Sequence, residues 1–238
     1  ISYEEYLKEE QTELLKELAS DMEVDEQMEV MLPYYNEVEI LAGKYAKNYF
    51  KGNFKYAYNT FEQESFDCKI NGIRYICYVD IYNENNNAFN IVEVKATTSK
   101  KFLSIGYKDE EFISIFEKKN NIYHLLEDNN DNLPKKYYQA RNKLLNRYDK
   151  AGHYVYDLAI QRYIIENDLK QNNQLDKINK VNYYLAVLNA DYTFDGKYEK
   201  GIPIYSDDII AYFDLTSITK DYQEIIDQDR KRLEEYIA

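Results

Sequence analysis

Val79-Asp80-Ile81 and, after a polar turn, Asn90-Ile91-Val92-Glu93-Val94-Lys95-Ala96 are the stretch on which the reading of this 238-residue chain depends. Both runs are apolar and β-branched, and both are interrupted by ionisable groups. Side chains alternate along an extended strand, so Glu93 and Lys95 share one face while Val92, Val94 and Ala96 fill the other. The intervening Asn83-Glu84-Asn85-Asn86-Asn87 is turn chemistry rich enough in Asn to reverse the chain. An antiparallel pairing then brings the Asp80 carboxylate beside Glu93. Two converging carboxylates repel unless a cation lies between them, and oxygen-only ligands suit Mg2+ or Mn2+. A metal so held lowers the pKa of a bound water, and an ammonium such as Lys95 steadies charge building on a phosphate oxygen. This is the equipment for metal-assisted phosphodiester hydrolysis. The alternative is an edge strand with a solvated Glu/Lys face.

Working outward, the hairpin just upstream is the firmest local reading. Phe61 to Ile70 alternates, Asn71-Gly72 supplies a two-residue turn, and Ile73 to Tyr82 returns. Ile70 then faces Ile73, and counting back puts Glu64 opposite Val79, on the other face from Asp80. Before the hairpin, Tyr3 to Met31 has helical spacing and first breaks at Pro33, and a second amphipathic helix runs over Val38 to Phe50, ending near Gly52. Its small residues Ala42, Gly43 and Ala46 suit close approach to a sheet.

Downstream, residues 100–152 read as a largely helical insertion over the site, with Phe112, Ile115-Phe116, Ile122 and Leu125-Leu126 in one or two helices and Tyr137 to Tyr148 in another. Lys135, Lys136, Arg141, Lys143 and Arg147, interleaved with tyrosines, could track a nucleic-acid backbone and stack bases, or form a solvated helix face. Tyr154 to Ile165 is a strongly apolar helix on which Asp157 and Gln161, four apart, share a face. Val181 to Leu188 is a buried strand, Ala211 to Leu215 a short one, and Ile218 to Tyr236 a closing helix. The order helix, three strands, helix, strand is that of an α/β sheet covered by helices.

The net charge of −13 is unevenly spread. Residues 1–40 hold 13 acids against 2 bases, whereas residues 95–150 hold 12 bases against 8 acids. An acidic N-terminal helical arm, residues 1–32, is thus distinguished from a domain over residues 33–238; it packs as a capping helix, or it mimics DNA or gates the site. Cys68 and Cys77, core residues by strand pattern, cannot supply the four thiolates of an iron–sulfur cluster. No apolar run approaches the roughly 20 residues of a membrane helix and no charged-then-apolar start is present, so a reducing cytoplasm is expected. The chain opens at Ile1 and stops within a helical pattern, as part of a longer protein would. There is no G-x-G-x-x-G, no G-x-x-x-x-G-K-[ST], no H-E-x-x-H and no G-x-S-x-G.

Asp80 followed by Glu93-Val94-Lys95 resembles the D…(D/E)xK signature of the PD-(D/E)XK nuclease superfamily. The helix bearing Gln161 resembles the glutamine motif of the RecB-like branch, Q-x-x-x-Y, although Ile165 stands at the aromatic position and Tyr163 comes early. Asp157-Leu158-Ala159-Ile160-Gln161 followed by Leu188-Asn189-Ala190-Asp191-Tyr192 is similar to an uncharacterised bacterial family of RecB-like nucleases with a D-x-A-x-Q helix and an L-N-x-x-Y strand end, over about Glu39 to Leu215. The resemblance implies a mixed central sheet flanked by helices. It also implies Asp80 and Glu93 as ligands of Mg2+ or Mn2+, Lys95 as the catalytic ammonium, and DNA ends or single strands as substrate. It leaves Gln161 between substrate contact and helix packing. Many RecB-like enzymes carry a metal-binding His on the early helix; here Gly43 stands at about that position and Glu39 is the nearest substitute. His124 and His153 read as ordinary satisfied or surface residues, and Asp157 as a structural hydrogen-bonding group. The competing expectation is a catalytically silent nuclease fold that binds DNA or docks a protein.

Overall fold

The computed structural model describes residues 24–57 and 63–237. It is an α/β fold around a mixed seven-stranded sheet of order β1-β4-β5-β10-β13-β9-β8. The strands of that sheet are β1 (Asn53–Tyr56), β4 (Ile81–Asn85), β5 (Ala88–Thr98), β8 (Phe116–Lys119), β9 (Ile122–Leu125), β10 (Lys180–Leu188) and β13 (Ile210–Asp214). β5 runs parallel to β10 and β13 parallel to β9; the other neighbours are antiparallel. Among the described residues no helix is long and apolar enough to cross a membrane.

Alternation along the central strands divides the core into two layers. Ile81, Val92, Tyr184, Ala186 and Tyr212 face α1 (Val24–Tyr49), which packs Val38, Ala42, Tyr45 and Ala46 against them. Ala42 and Ala46 are fully buried, and the Tyr212 hydroxyl donates to the Ala42 carbonyl at 2.6 Å, so the small residues do permit close approach. Ile91, Tyr183, Leu185, Val187 and Phe213 face the other way, toward Val155, Leu158 and Ile165 of α4 (Lys150–Gln171, counted after the short α2, Lys100–Leu103, and α3, Lys135–Arg141). α4 is capped by Asp149, whose carboxylate accepts from Ala151 N. Its first turn lies so close to the preceding turn that a Cβ on Gly152 would stand 2.0 Å from the Asn146 carbonyl oxygen.

The expected hairpin is present as β2 (Ser65–Ile70) and β3 (Ile73–Tyr78), with Ile70 facing Ile73, Asn71 and Gly72 at positive φ, and Val79 N donating to the Glu64 carbonyl. It forms a two-stranded sheet of its own. The continuous strand expected through Tyr82 is corrected: at Val79-Asp80 the chain leaves the hairpin and enters the central sheet as β4. The reversal after it is also tighter than expected. Asn83, Glu84 and Asn85 belong to the strand, and Asn86 and Asn87, both at positive φ, make the whole turn. Buried Asn83 and Asn182 flank Asn90 in a side-chain ladder across three strands, Asn90 Nδ2 donating to Asn83 Oδ1 (2.7 Å) and Asn182 Nδ2 to Asn90 Oδ1 (2.8 Å).

Three further expectations change. The helix break at Pro33 is not observed; one helix runs from Val24 to Tyr49. Proline removes one hydrogen bond and bends a helix without having to end it. The N-terminal arm upstream of Val24 lies outside the described residues. Residues 100–152 are not a helical insertion: β6 (Gly106–Lys108) and β7 (Phe112–Ser114) form a small hairpin, and β8 and β9 extend the central sheet. The β8–β9 turn is Asn120-Asn121, both at positive φ, and strands of four residues are too short to display a period that separates them from helix. Helical structure there is limited mainly to α3. After the small β11 (Tyr198–Glu199) and β12 (Ile202–Pro203) hairpin and β13, the closing helix is divided into α5 (Thr216–Asp221) and α6 (Gln223–Ile237).

Candidate active site

The β4–β5 register pairs Ile81 with Val92 and Tyr82 with Ile91, so the next step outward sets Asp80 across from Glu93. Asp80 occupies the seam between the two sheets. Its backbone carbonyl accepts from Ala57 N (2.7 Å) and its carboxylate Oδ2 from Val94 N (2.8 Å). Burial pushes the Asp80 carboxyl well above the usual carboxylate range, and the charge of Glu93 adds to this. Glu39 contributes in the same direction, while the Val94 N–H and Lys95 work against it. Glu39, on α1, is itself raised by burial and by Glu93, and its Oε1 is buried with no hydrogen-bond partner among the described residues. Three carboxylates, one from the seam before β4, one from β5 and one from α1, therefore act on one another.

Glu93 is only 8% exposed. The Lys95 ammonium lies 3.3 Å from its Oε1, as two side chains on one face of a strand should, and Gln161 donates through Nε2 to its Oε2. The same ammonium lies 3.3 Å from Asp157 Oδ2 on α4. His153 approaches Asp157 at 3.8 Å from a half-exposed position, and the Tyr154 ring lies 5.8 Å from Lys95 Nζ. Tyr154 also carries Lys101, whose ammonium is 4.6 Å from the ring centre and donates to the hydroxyl at 3.3 Å.

β5 is irregular at this point. Ala186 pairs with Val94 and Leu188 with Thr98, so Lys95, Ala96 and Thr97 stand opposite the single residue Val187. Such bulges re-aim side chains and recur beside active sites.

The structure thus brings together Asp80, Glu93, Lys95, Gln161 and Glu39. It handles the basic residues of the 135–147 region differently. Arg141 is buried, its Nε 2.7 Å from Glu127 Oε1 and a second nitrogen on Asp221; Arg147 pairs with Asp229 and donates to Tyr156. These guanidinium groups hold the 141–147 segment to its neighbours. Lys135 and Lys143 are exposed, and Lys136, also exposed, reaches the Lys108 carbonyl and Asp109. Glu64, at the hairpin's base, pairs with Lys55. His124 pairs with Asp214 at 3.5 Å, and both cysteines are buried free thiols, that of Cys77 pushed up to about 12 by burial.

Asp157 is the residue whose part sequence reasoning understated. Read as a structural hydrogen-bonding group, it is instead an ion-pair partner of Lys95. The available signal was the spacing His153, Asp157, Gln161, which sets one polar face on an otherwise apolar helix.

Chemically, the donor set is oxygen-rich and short of positive charge. Among the described residues no group of three or more His, Cys, Asp or Glu is placed to hold a metal ion. A Mg2+ site does not require one, because that ion keeps several waters and is commonly bound through one or two carboxylates together with substrate phosphate. The Glu39 oxygen, buried without a hydrogen-bond partner among the described residues, and the elevated Asp80 carboxyl make a donor set that a divalent cation's charge would suit. No protein-family model, no curated protein and no solved structure matches this chain.

Proposed function

We propose that the chain is a metal-dependent nuclease of the PD-(D/E)XK type, RecB-like branch, hydrolysing DNA phosphodiester bonds at ends or on single strands. The observation that carries this reading is the convergence of Asp80, in the seam just before β4, with Glu93 and Lys95 of the neighbouring β5. The mixed sheet, with α1 on one face and the α4 crossover between parallel β5 and β10 on the other, is compatible with that superfamily's core.

In this reading Asp80 and Glu93 hold Mg2+ or Mn2+, with Glu39 as an additional oxygen donor. The bound ion supplies Lewis acidity and a more acidic water. The chain's own residues do the rest. Lys95 places a positive charge where the phosphate oxygens gain negative charge as water adds to phosphorus and the bond to the leaving sugar oxygen breaks. Gln161 fixes the rotamer of Glu93 by its hydrogen bond. The leaving oxygen takes up a proton and the attacking water gives one up, so the products are a phosphate monoester and a free hydroxyl. The exposed Lys135, Lys136 and Lys143 offer weak, screened attraction to a backbone at most.

One observation favours a second reading, a catalytically silent module: both Glu93 oxygens already have protein partners, Oε1 in Lys95 and Oε2 in Gln161. Calorimetric titration of Mn2+ and Mg2+ into wild type and Glu93→Ala, with cleavage of labelled single-stranded and duplex DNA by the same samples, separates the two. The nuclease binds metal, loses that binding in the variant and cuts DNA only with metal. A wild type that binds neither ion overturns the nuclease reading in favour of the silent module.

A further inference from the structure

Resting on that reading, we propose that Asp157 is a positioning residue that keeps the Lys95 ammonium in the site when a divalent cation engages Glu93. The ammonium lies between two carboxylates, 3.3 Å from Glu93 Oε1 and 3.3 Å from Asp157 Oδ2. These two partners have different fates on metal binding. Glu93 would share its charge with a bound cation, and Lys95 would then feel that cation's repulsion. Asp157 would remain as a counter-charge, because it belongs to α4 and not to the strand that carries Glu93.

The local architecture serves that division. α4 grips both β5 side chains from one face, Gln161 through Glu93 Oε2 and Asp157 through Lys95, and the four-residue interval sets them one turn apart. The bulge of β5 opposite Val187 begins at Lys95 itself and frees that side chain from regular strand geometry. Tyr154, on the same helix, stands with its ring 5.8 Å from the ammonium. The Lys95 side chain is 11% exposed and that of Asp157 27%, so water screens the pair incompletely. Asp157 acts on the reaction through Lys95 alone.

The test uses the whole chain, Mn2+ and a labelled single-stranded DNA, with Asp157→Asn, which removes the charge at constant size, and Asp157→Glu, which keeps it. Asp157→Asn should bind Mn2+ with wild-type affinity by calorimetry and keep KM, yet lose about 100-fold in kcat, the scale of a misplaced catalytic group. Asp157→Glu should regain most of that loss. The proposal is overturned by wild-type kcat in Asp157→Asn, by a loss that falls on KM or Mn2+ affinity instead, by an Asp157→Glu as impaired as Asp157→Asn, or by failure of Asp157→Asn to fold. A wild type that cuts nothing with Mn2+ overturns the nuclease reading and this inference with it, an outcome told apart by the wild-type control.

Discussion

Asp80 stands where a carboxylate is disfavoured, half-buried and within the field of Glu93. Its folded pKa lies above the ordinary 3.8, so the stability it contributes is fully present below that value and is lost as pH rises through the folded pKa. At neutral pH, above the ordinary carboxylate range, the raised carboxyl is a cost to folding. Asp80→Asn, which retains an oxygen to accept from Val94 N, should therefore stabilise the metal-free protein at pH 7 by the order of 1 kcal/mol, about 2–4 °C in Tm, with the gain absent at pH 3. Thermal melts at the two pH values check this, and a lower Tm at pH 7 contradicts it. The same substitution should abolish Mn2+ binding, so that stability and function change in opposite directions at one residue. Acid, amine and spacing were visible in the sequence at this scale because strand alternation is rigid. The contribution of Asp157 was not, since which of two partners a lysine meets across a helix depends on packing that spacing alone does not fix.

Among the elements, β2–β3, β5, α4 and β10 were legible because each displays a period or a turn signal of its own. The hairpin register followed from Asn71-Gly72, and the β5 face from Val92 and Val94 against Glu93 and Lys95. β6 to β9 were not legible: each spans three or four residues, and apolar pairs such as Ile115-Phe116 and Leu125-Leu126 fit a helix equally well. Asn120-Asn121 is a turn signal of the same Asn-rich kind as the Asn83–Asn87 run, and it is the one local mark that separates β8 from β9. The Asn83–Asn90–Asn182 ladder is the device that fixes the three strands bearing and flanking the site. Asn90→Ala would leave an acceptor on Asn83 and a donor on Asn182 without their partner, which costs about 1–3 kcal/mol for a buried polar group. Urea unfolding should show that loss as a lower midpoint at unchanged slope. An unchanged midpoint would mean that water replaces the amide at no cost.

For the whole molecule, charge is the property that would most set the proposed binding to DNA. Removing residues 1–23, which leaves α1 intact, changes the net charge from −13 to −7. DNA affinity should rise several-fold at low salt, and the gain should fade as salt screens the removed repulsion. Fluorescence anisotropy across a salt series checks this, and equal affinities at low salt would show that the arm does not repel DNA. The connectivity of the sheet has a different consequence, one of timing. β4 and β5 are joined by the two-residue turn Asn86-Asn87, so setting Asp80 across from Glu93 closes a small loop and costs little chain entropy. Gln161 and Asp157 arrive only with α4, whose place is fixed when β10 pairs with β5 and Asn182 meets Asn90, 92 positions away in sequence. A chain emerging from the ribosome therefore brings its two proposed metal ligands together early and completes the proposed site only once β10 is made, so the activity proposed for it would be withheld from a shorter nascent chain.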